Sequence, residues 1–179
     1  MASNPKTRRY ARLPRVARWI EPLAAALAGA EAFRGYALRA ARRDDEEFLY
    51  ALHRSAMRDY VEATWGWDED WQRQHFASTY VPAQHAVIVR LDPVLCDIGR
   101  ISLTRQWHRI FLRDIELIAA ERNRGIGTAM IRALLELAKA DGRTVELLVL
   151  KCNPAQGLYA RLGFTVVGDD GARLTMRAM

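Results

Sequence analysis

The run Arg122-Asn123-Arg124-Gly125-Ile126-Gly127-Thr128 has the residue types that an anion site needs. Ahead of it, Ile110 to Ala119 reads as a strand. Behind it, Gly125 to Ala140 reads as a helix, with Met130, Ile131, Leu134, Leu135 and Ala138 on one face. A helix begins with backbone N–H groups that lack partners and with the positive end of its dipole. Gly125 and Gly127 let those amides approach a ligand with no Cβ in the way, and Arg122 and Arg124 add charge. The combination suits a pyrophosphate. A P-loop would need Gly-Lys-Ser/Thr, which is absent, and a dinucleotide fingerprint would need three glycines early in a βαβ series. Taken alone the run is a modest signal, and a glycine-rich helix start without ligand is the plain alternative.

The elements that must position this turn follow from periodicity. Tyr36 to Ala40 is a first strand. Asp44 is placed to cap a helix running to about Thr64, and Asp68 to cap a second one reaching about Tyr80. Ala86 to Leu91, Ile98 to Trp107 and Ile110 to Ala119 form an antiparallel meander with a tight turn near His108. After the helix from Gly125, the apolar run Thr144 to Leu150 is a strand covered on both faces. A short helix from Pro154 to Leu162 and two strands, Phe164 to Val167 and Arg173 to Arg177, complete the chain. The order β, α, α, β, β, β, α, β, α, β, β predicts an α+β domain with a mixed sheet.

Composition bounds the function classes. A chain of 179 residues is most simply one domain with a real core. No apolar run approaches the roughly 18 residues of a membrane span, so the expected protein is soluble and has no membrane partner. Two cysteines, Cys96 and Cys152, fit a reducing cytoplasm and no metal site. The net charge of +6 invites a nucleic-acid partner, but its distribution argues against one. Residues 1–43 hold ten basic residues against two acidic, and the remainder is slightly acidic. Residues 1–35, rich in Arg and Ala, are expected to be an accessory extension, disordered or forming a short helix between Val16 and Phe33. An acid-poor, Arg-rich start is also compatible with a transit peptide. The domain proper is expected over 36–179.

A second motif makes the first specific. Asn153-Pro154-Ala155-Gln156-Gly157-Leu158-Tyr159-Ala160-Arg161-Leu162-Gly163-Phe164 follows a strand about thirty residues after Gly125. The pair resembles the GCN5-related N-acetyltransferase (GNAT) superfamily. Its Arg/Gln-x-x-Gly-x-Gly/Ala signature matches Arg122, Gly125 and Gly127, and its later Asn…Leu-Tyr…Leu-Gly-Phe pattern matches Asn153 to Phe164. The resemblance covers roughly Tyr36 to Met179. It implies a mostly antiparallel sheet of about seven strands, flanked by about four helices, whose fourth and fifth strands splay apart. It implies acetyl-CoA as acyl donor, no metal, and an amine acceptor that is a small molecule or a peptide. The amides of Asn123 to Thr128 would hold the pyrophosphate, with Arg122 beside them. The backbone of Ile115 to Leu117, together with Asn153, would hold the pantetheine arm. Tyr159 would donate to the leaving thiolate, a role its pKa near 10, above a thiol's 8.5, allows.

The chain departs from the family pattern at several points. Ala119-Ala120-Glu121 replaces the usual Pro-x-Tyr, and the Asn153-to-Tyr159 spacing is one residue short. Where some relatives carry a Glu on the fifth strand, this chain has Leu148. Glu116 on the fourth strand is then the nearest acid that could act as base, through water, and a salt-bridged strand residue is the equal alternative. His108 is a weaker candidate, and an amine arriving neutral needs no base. The segment Glu62 to Trp71 would form the acceptor wall. There Trp65, Trp67 and Asp68 offer an apolar wall with an acidic rim suited to a cationic amine; core tryptophans with capping acids are the other reading. Two further functions stay open. One is an acyl-CoA sensor or partner domain without turnover, and the other is nucleic-acid binding by the basic extension. The oligomeric state is open between monomer and homodimer.

Overall fold

The strand His85–Arg90 (β2) is buried at every position but its last. Alternation decides which face each side chain serves. Ala86 and Ile88 join one core, while Val87 and Val89 join another. A strand buried on both sides must lie inside a sheet that helices cover on both faces. The computed structural model, which describes residues 19–179, has that architecture.

The other strands are β1 (Tyr36–Ala40), β3 (Cys96–Arg105), β4 (Arg109–Leu117), β5 (Thr144–Leu150), β6 (Thr165–Asp169) and β7 (Arg173–Ala178). They lie in the order β1-β2-β3-β4-β5-β7-β6. Every neighbouring pair is antiparallel except β4 and β5. Five α-helices occur among the described residues. Helices α1 (Ile20–Leu27) and α4 (Ile126–Ala140) fill one face, and α5 (Ala155–Arg161) adds Leu158 and Tyr159 to the same core. Helix α2 (Glu46–Trp65) packs Leu49 and Leu52 on the other face, joined by Phe76 of α3 (Glu69–Thr79). The expected α+β sheet of seven strands is present, with α1 in addition to the four expected helices. No helix is long and apolar enough to cross a membrane.

Two expectations shift. The first concerns the start of α2, where Asp45 and not Asp44 is the structural acid. Asp45 is fully buried, accepts the Arg42 backbone N–H at 2.8 Å, and pairs with the Arg39 guanidinium at 2.6 and 2.8 Å. Asp97 pairs with the same guanidinium at 2.7 Å. A buried arginine is tolerated only beside matching anions, so of two adjacent acids the one that reaches Arg39 is turned inward.

The second concerns the extension. Ile20, Leu23, Leu27 and Phe33 are buried in the main core, against α4 and the sheet. The Trp19 indole N–H donates to the Ala83 carbonyl at 2.7 Å. The packed unit therefore begins before Tyr36. The part of the expected extension from 1 to 18 lies outside the described residues.

Leu23 tests this. Leu23→Ala should cost about 2–5 kcal/mol, the usual range for a large-to-small core change. Urea unfolding should show a lower midpoint with an unchanged m value. A change within experimental scatter would mean that α1 is not part of the core.

Candidate active site

Strands β4 and β5 pair only over Arg109–Leu112 and Thr144–Leu147. Beyond that β4 runs on to Leu117 and β5 to Leu150 without pairing each other. The parting point has a local cause. The β3–β4 register slips between Ser102 and Leu103, which leaves Arg113 unmatched. Such a bulge bends its strand and increases its twist, and this one lies one residue past the last β4–β5 pair. On its other side β4 presses hard on β3. A Cβ at Gly99 would stand 2.5 Å from the Glu116 carbonyl oxygen and 2.7 Å from Leu117 Cδ2. Between the parted strands lies a cavity of about 750 Å³.

One end of the cavity is the turn before α4. Gly125 sits at φ 80° and Asn123 at φ 61°, both in the left-handed region. This sharp turn brings α4 up without a side-chain cap, so its first amides face the cavity unpaired. Arg122, Asn123, Gly125, Ile126, Gly127 and Thr128 all line it. Arg124 does not line it and instead pairs with Glu121 at 3.5 Å. The Arg122 Nε donates to the Leu117 carbonyl at 3.0 Å. Glu121, noted in the sequence only as a departure, anchors the turn. It is fully buried and accepts from the Tyr36 hydroxyl at 2.8 Å and from Arg90 at 2.6 Å. Burial pushes its carboxyl up, but the Tyr36 hydrogen bond and the Arg90 and Arg124 guanidiniums outweigh burial and hold it below the usual range.

The walls between the strands carry Ile115, Leu117 and Asn153. The edge of β4 that faces β5 here has no strand to pair with, so its backbone groups are open to an extended ligand. Asn153 Oδ1 accepts the Ala155 N–H at 2.9 Å, which starts α5.

Tyr159 and Glu116 are both in the wall as well. The Tyr159 ring rests against Phe164 at 5.7 Å, and no hydrogen bond occupies its hydroxyl among the described residues. Burial, then the charges of Asp114 and Glu116, push its phenol up to about 12. It is therefore a proton donor throughout the neutral range. Glu116 is only 6% exposed. Burial pushes its carboxyl up, but the Arg100 guanidinium and the hydrogen bond from His53 overcome that and hold it down at about 2. Arg100 grips Glu116 at 2.7 and 3.2 Å and Asp114 at 3.1 Å. Ser102 donates to Asp114 at 2.5 Å. His53 Nδ1 lies 2.9 Å from Glu116 Oε1.

The salt-bridged alternative thus describes Glu116, and a free basic carboxylate does not. His53 carries no signal in the sequence, because nothing in the spacing of the chain links residue 53 to residue 116. His53, Asp114 and Glu116 are close enough to surround a cation, but Arg100 already supplies the positive charge among them. His108 is exposed at its turn and lies outside the cavity wall.

The acceptor segment divides. Trp65 lines the cavity with Met57 and Tyr60 of α2. The Arg173 guanidinium lies 5.7 Å from the Trp65 ring and is fixed by Asp170 at 2.7 Å. Trp67 and Asp68 lie outside the wall. Asp68 caps α3 by accepting the Trp71 N–H at 3.0 Å, and the Trp67 indole donates to Glu69 at 2.9 Å. Asp68, Glu69 and Asp70 stand at the start of α3, and Glu62 pairs with Arg58 at 3.6 Å within α2; none of the four lines the cavity.

Comparison with known proteins bears on the family and the fold. The acetyltransferase (GNAT) family model matches residues 46–164. The fold is similar to that of PaiA N-acetyltransferase from Thermoplasma acidophilum in complex with coenzyme A. Identity there is 18% over 79% of this chain and 97% of that one, with a TM-score of 0.62. A GCN5-related N-acetyltransferase from Kribbella flavida is 20% identical over 80% of this chain and 97% of that one, at TM-score 0.57. An Arabidopsis thaliana protein in complex with the bisubstrate analogue CoA-Ac-MVNAL is 14% identical over 81% and 99%, at TM-score 0.53. At these identities the likeness is one of fold. No curated protein matches the chain.

The buried charges make a stability prediction. Arg100→Met leaves Asp114 and Glu116 without their cation, and should cost about 3–5 kcal/mol in urea unfolding at pH 7. The pH dependence follows from Glu116, whose folded carboxyl is lowered from 4.5 to about 2. A lowered folded pKa stabilises fully above the unfolded value and is lost as pH falls through the folded one. The wild-type protein should therefore lose this contribution between about pH 4.5 and 2, and Arg100→Met should lose much less over that window. Parallel curves for the two proteins would contradict the pairing.

Proposed function

The chain belongs to the acetyltransferase (GNAT) family, and on that premise we propose that it is an N-acetyltransferase moving an acetyl group from acetyl-CoA to a primary amine in a ternary complex. One observation carries the reading. A single cavity joins the free amides of α4, the open edge of β4 and the Tyr159 hydroxyl.

The residues fit the donor. The amides of Asn123 to Thr128 and the Arg122 guanidinium suit the pyrophosphate. The β4 edge at Ile115 and Leu117 suits the amides of the pantetheine arm, and Asn153 stands across from it. The thioester then lies between the parted strands, near Tyr159. The amine nitrogen forms a bond to the acetyl carbonyl carbon, and the C–S bond breaks with its electron pair going to sulfur. Tyr159 gives its proton to that thiolate, and the proton lost from nitrogen on amide formation restores the phenol. With its phenol pushed up to about 12, Tyr159 reaches the reaction protonated. The acceptor enters beside α2, with Trp65 at its rim and Arg173 next to it.

A thiol-release assay with acetyl-CoA and a panel of primary amines tests the reading. Tyr159→Phe should lower kcat by about 10²-fold or more, with acetyl-CoA affinity nearly unchanged by calorimetry. Binding of acetyl-CoA by the wild-type protein without thiol release for any amine would overturn the enzymatic reading and favour a sensor.

A further inference from the structure

An amine that is protonated in water must lose a proton before it can attack a thioester. Glu116, the carboxylate in the cavity wall, is poorly suited to take it, since Arg100 binds both its oxygens. The group behind it is better suited. His53 and Glu116 are 2.9 Å apart, and an ionised carboxylate can only accept. The Arg100 Nη2 also lies 3.3 Å from Nδ1, but its hydrogens have the Glu116 and Asp114 carboxylates at 3.2 and 3.1 Å, so the shorter contact to Glu116 assigns the imidazole as the donor through Nδ1–H, with its lone pair on Nε2. No hydrogen bond occupies Nε2 among the described residues, and the ring keeps 20% exposure. His53 stands behind Glu116 and outside the cavity wall itself, on the face of α2 that carries Ala56, Met57 and Tyr60 into that wall one to two helical turns away, so a proton reaches it only through water. Phe76 flanks the ring at 5.9 Å.

We propose that His53 is the general base, taking the ammonium proton of the acceptor on Nε2 through a water molecule. This rests on the acetyltransferase reading above. The step balances: R–NH3+ and neutral imidazole give R–NH2 and imidazolium, whose proton later returns to solvent. Glu116 is then a positioning residue. It fixes the tautomer and faces the imidazolium with negative charge, while Arg100 keeps it ionised. The charged groups facing His53 are Glu116 and Asp114 from β4 and Arg100 from β3. Helix α3 presents the uncharged Phe76, and Tyr80 and His85 lie beyond Arg100.

The test separates a base from a structural histidine. His53→Asn keeps a donor near the Nδ1 position and removes Nε2, and His53→Ala leaves room for added imidazole. Each variant is assayed for thiol release with a basic alkylamine and with an arylamine, which is already neutral at pH 7. With the alkylamine, both should lose about 10²-fold or more in kcat. With the arylamine, the loss should be at least tenfold smaller. Imidazole should restore activity to His53→Ala with the alkylamine, and the acid limb of the wild-type pH profile should change in both variants. Thermal unfolding within a few degrees of wild type shows that the fold is kept. Equal losses with both amines, or no loss with either, overturn the assignment while leaving the transferase reading intact. No turnover by the wild-type protein overturns both.

Discussion

The molecule depends on two neighbouring strands that stop pairing in the middle of a sheet. Interior backbone N–H and C=O groups are normally paired, because leaving them unpaired and buried is costly. Here β4 and β5 hold together for four residue pairs and then separate, which leaves two open edges inside the domain. The bulge at Arg113 and the close fit of Gly99 under Glu116 fix where β4 turns away. The open edges are tolerated because they line a cavity, so they meet solvent or a ligand instead of an apolar core. The turn at Gly125 and the helix from Ala155 close the ends of the same opening. An apolar core there would have made a more ordinary sheet with no cavity between its strands.

The second constraint is electrostatic. Two carboxylates on alternate residues of β4, Asp114 and Glu116, point to the same side of the strand. They would repel each other if left alone, and burial would favour their protonation. Arg100 on the neighbouring strand resolves this by binding both, and Ser102 and His53 complete the set. The result is an ionised Glu116 at the cavity and a phenol nearby that burial, and then those charges, keep protonated. The acid and the carboxylate are thus set apart by the surroundings they share, with one cation tilting the balance.

The sequence was most legible where the physics is local. Periodicity placed all seven strands and the helices α2 to α5 within a few residues, and the turn at Arg122 to Thr128 stands at the cavity as its glycines require. It was less legible where a side chain had two uses. Asp44 and Asp45 look alike as caps, and only the position of Arg39 separates them. Asp68 reads equally as a cap or as part of an acidic rim, and the Trp71 amide decides for the cap. The helix at Ile20 was legible as a short helix, but its burial was not, since its three buried side chains find their partners only on α4 and the sheet. His53 could not be read at all. A lone histidine on a helix gains meaning only from Glu116, sixty-three residues on.

The backing of the turn before α4 limits where the chain can be cut. A Cβ on Gly125 would stand 3.1 Å from the Ala32 methyl, so residues just after α1 form the outer wall of the turn that faces the cavity. The family pattern begins only at residue 46. A boundary drawn at that point would therefore separate the turn from its own support. An excised fragment could keep every residue of the signature and still hold them in the wrong shape, because the signature marks what lines the cavity and not what holds the signature in place.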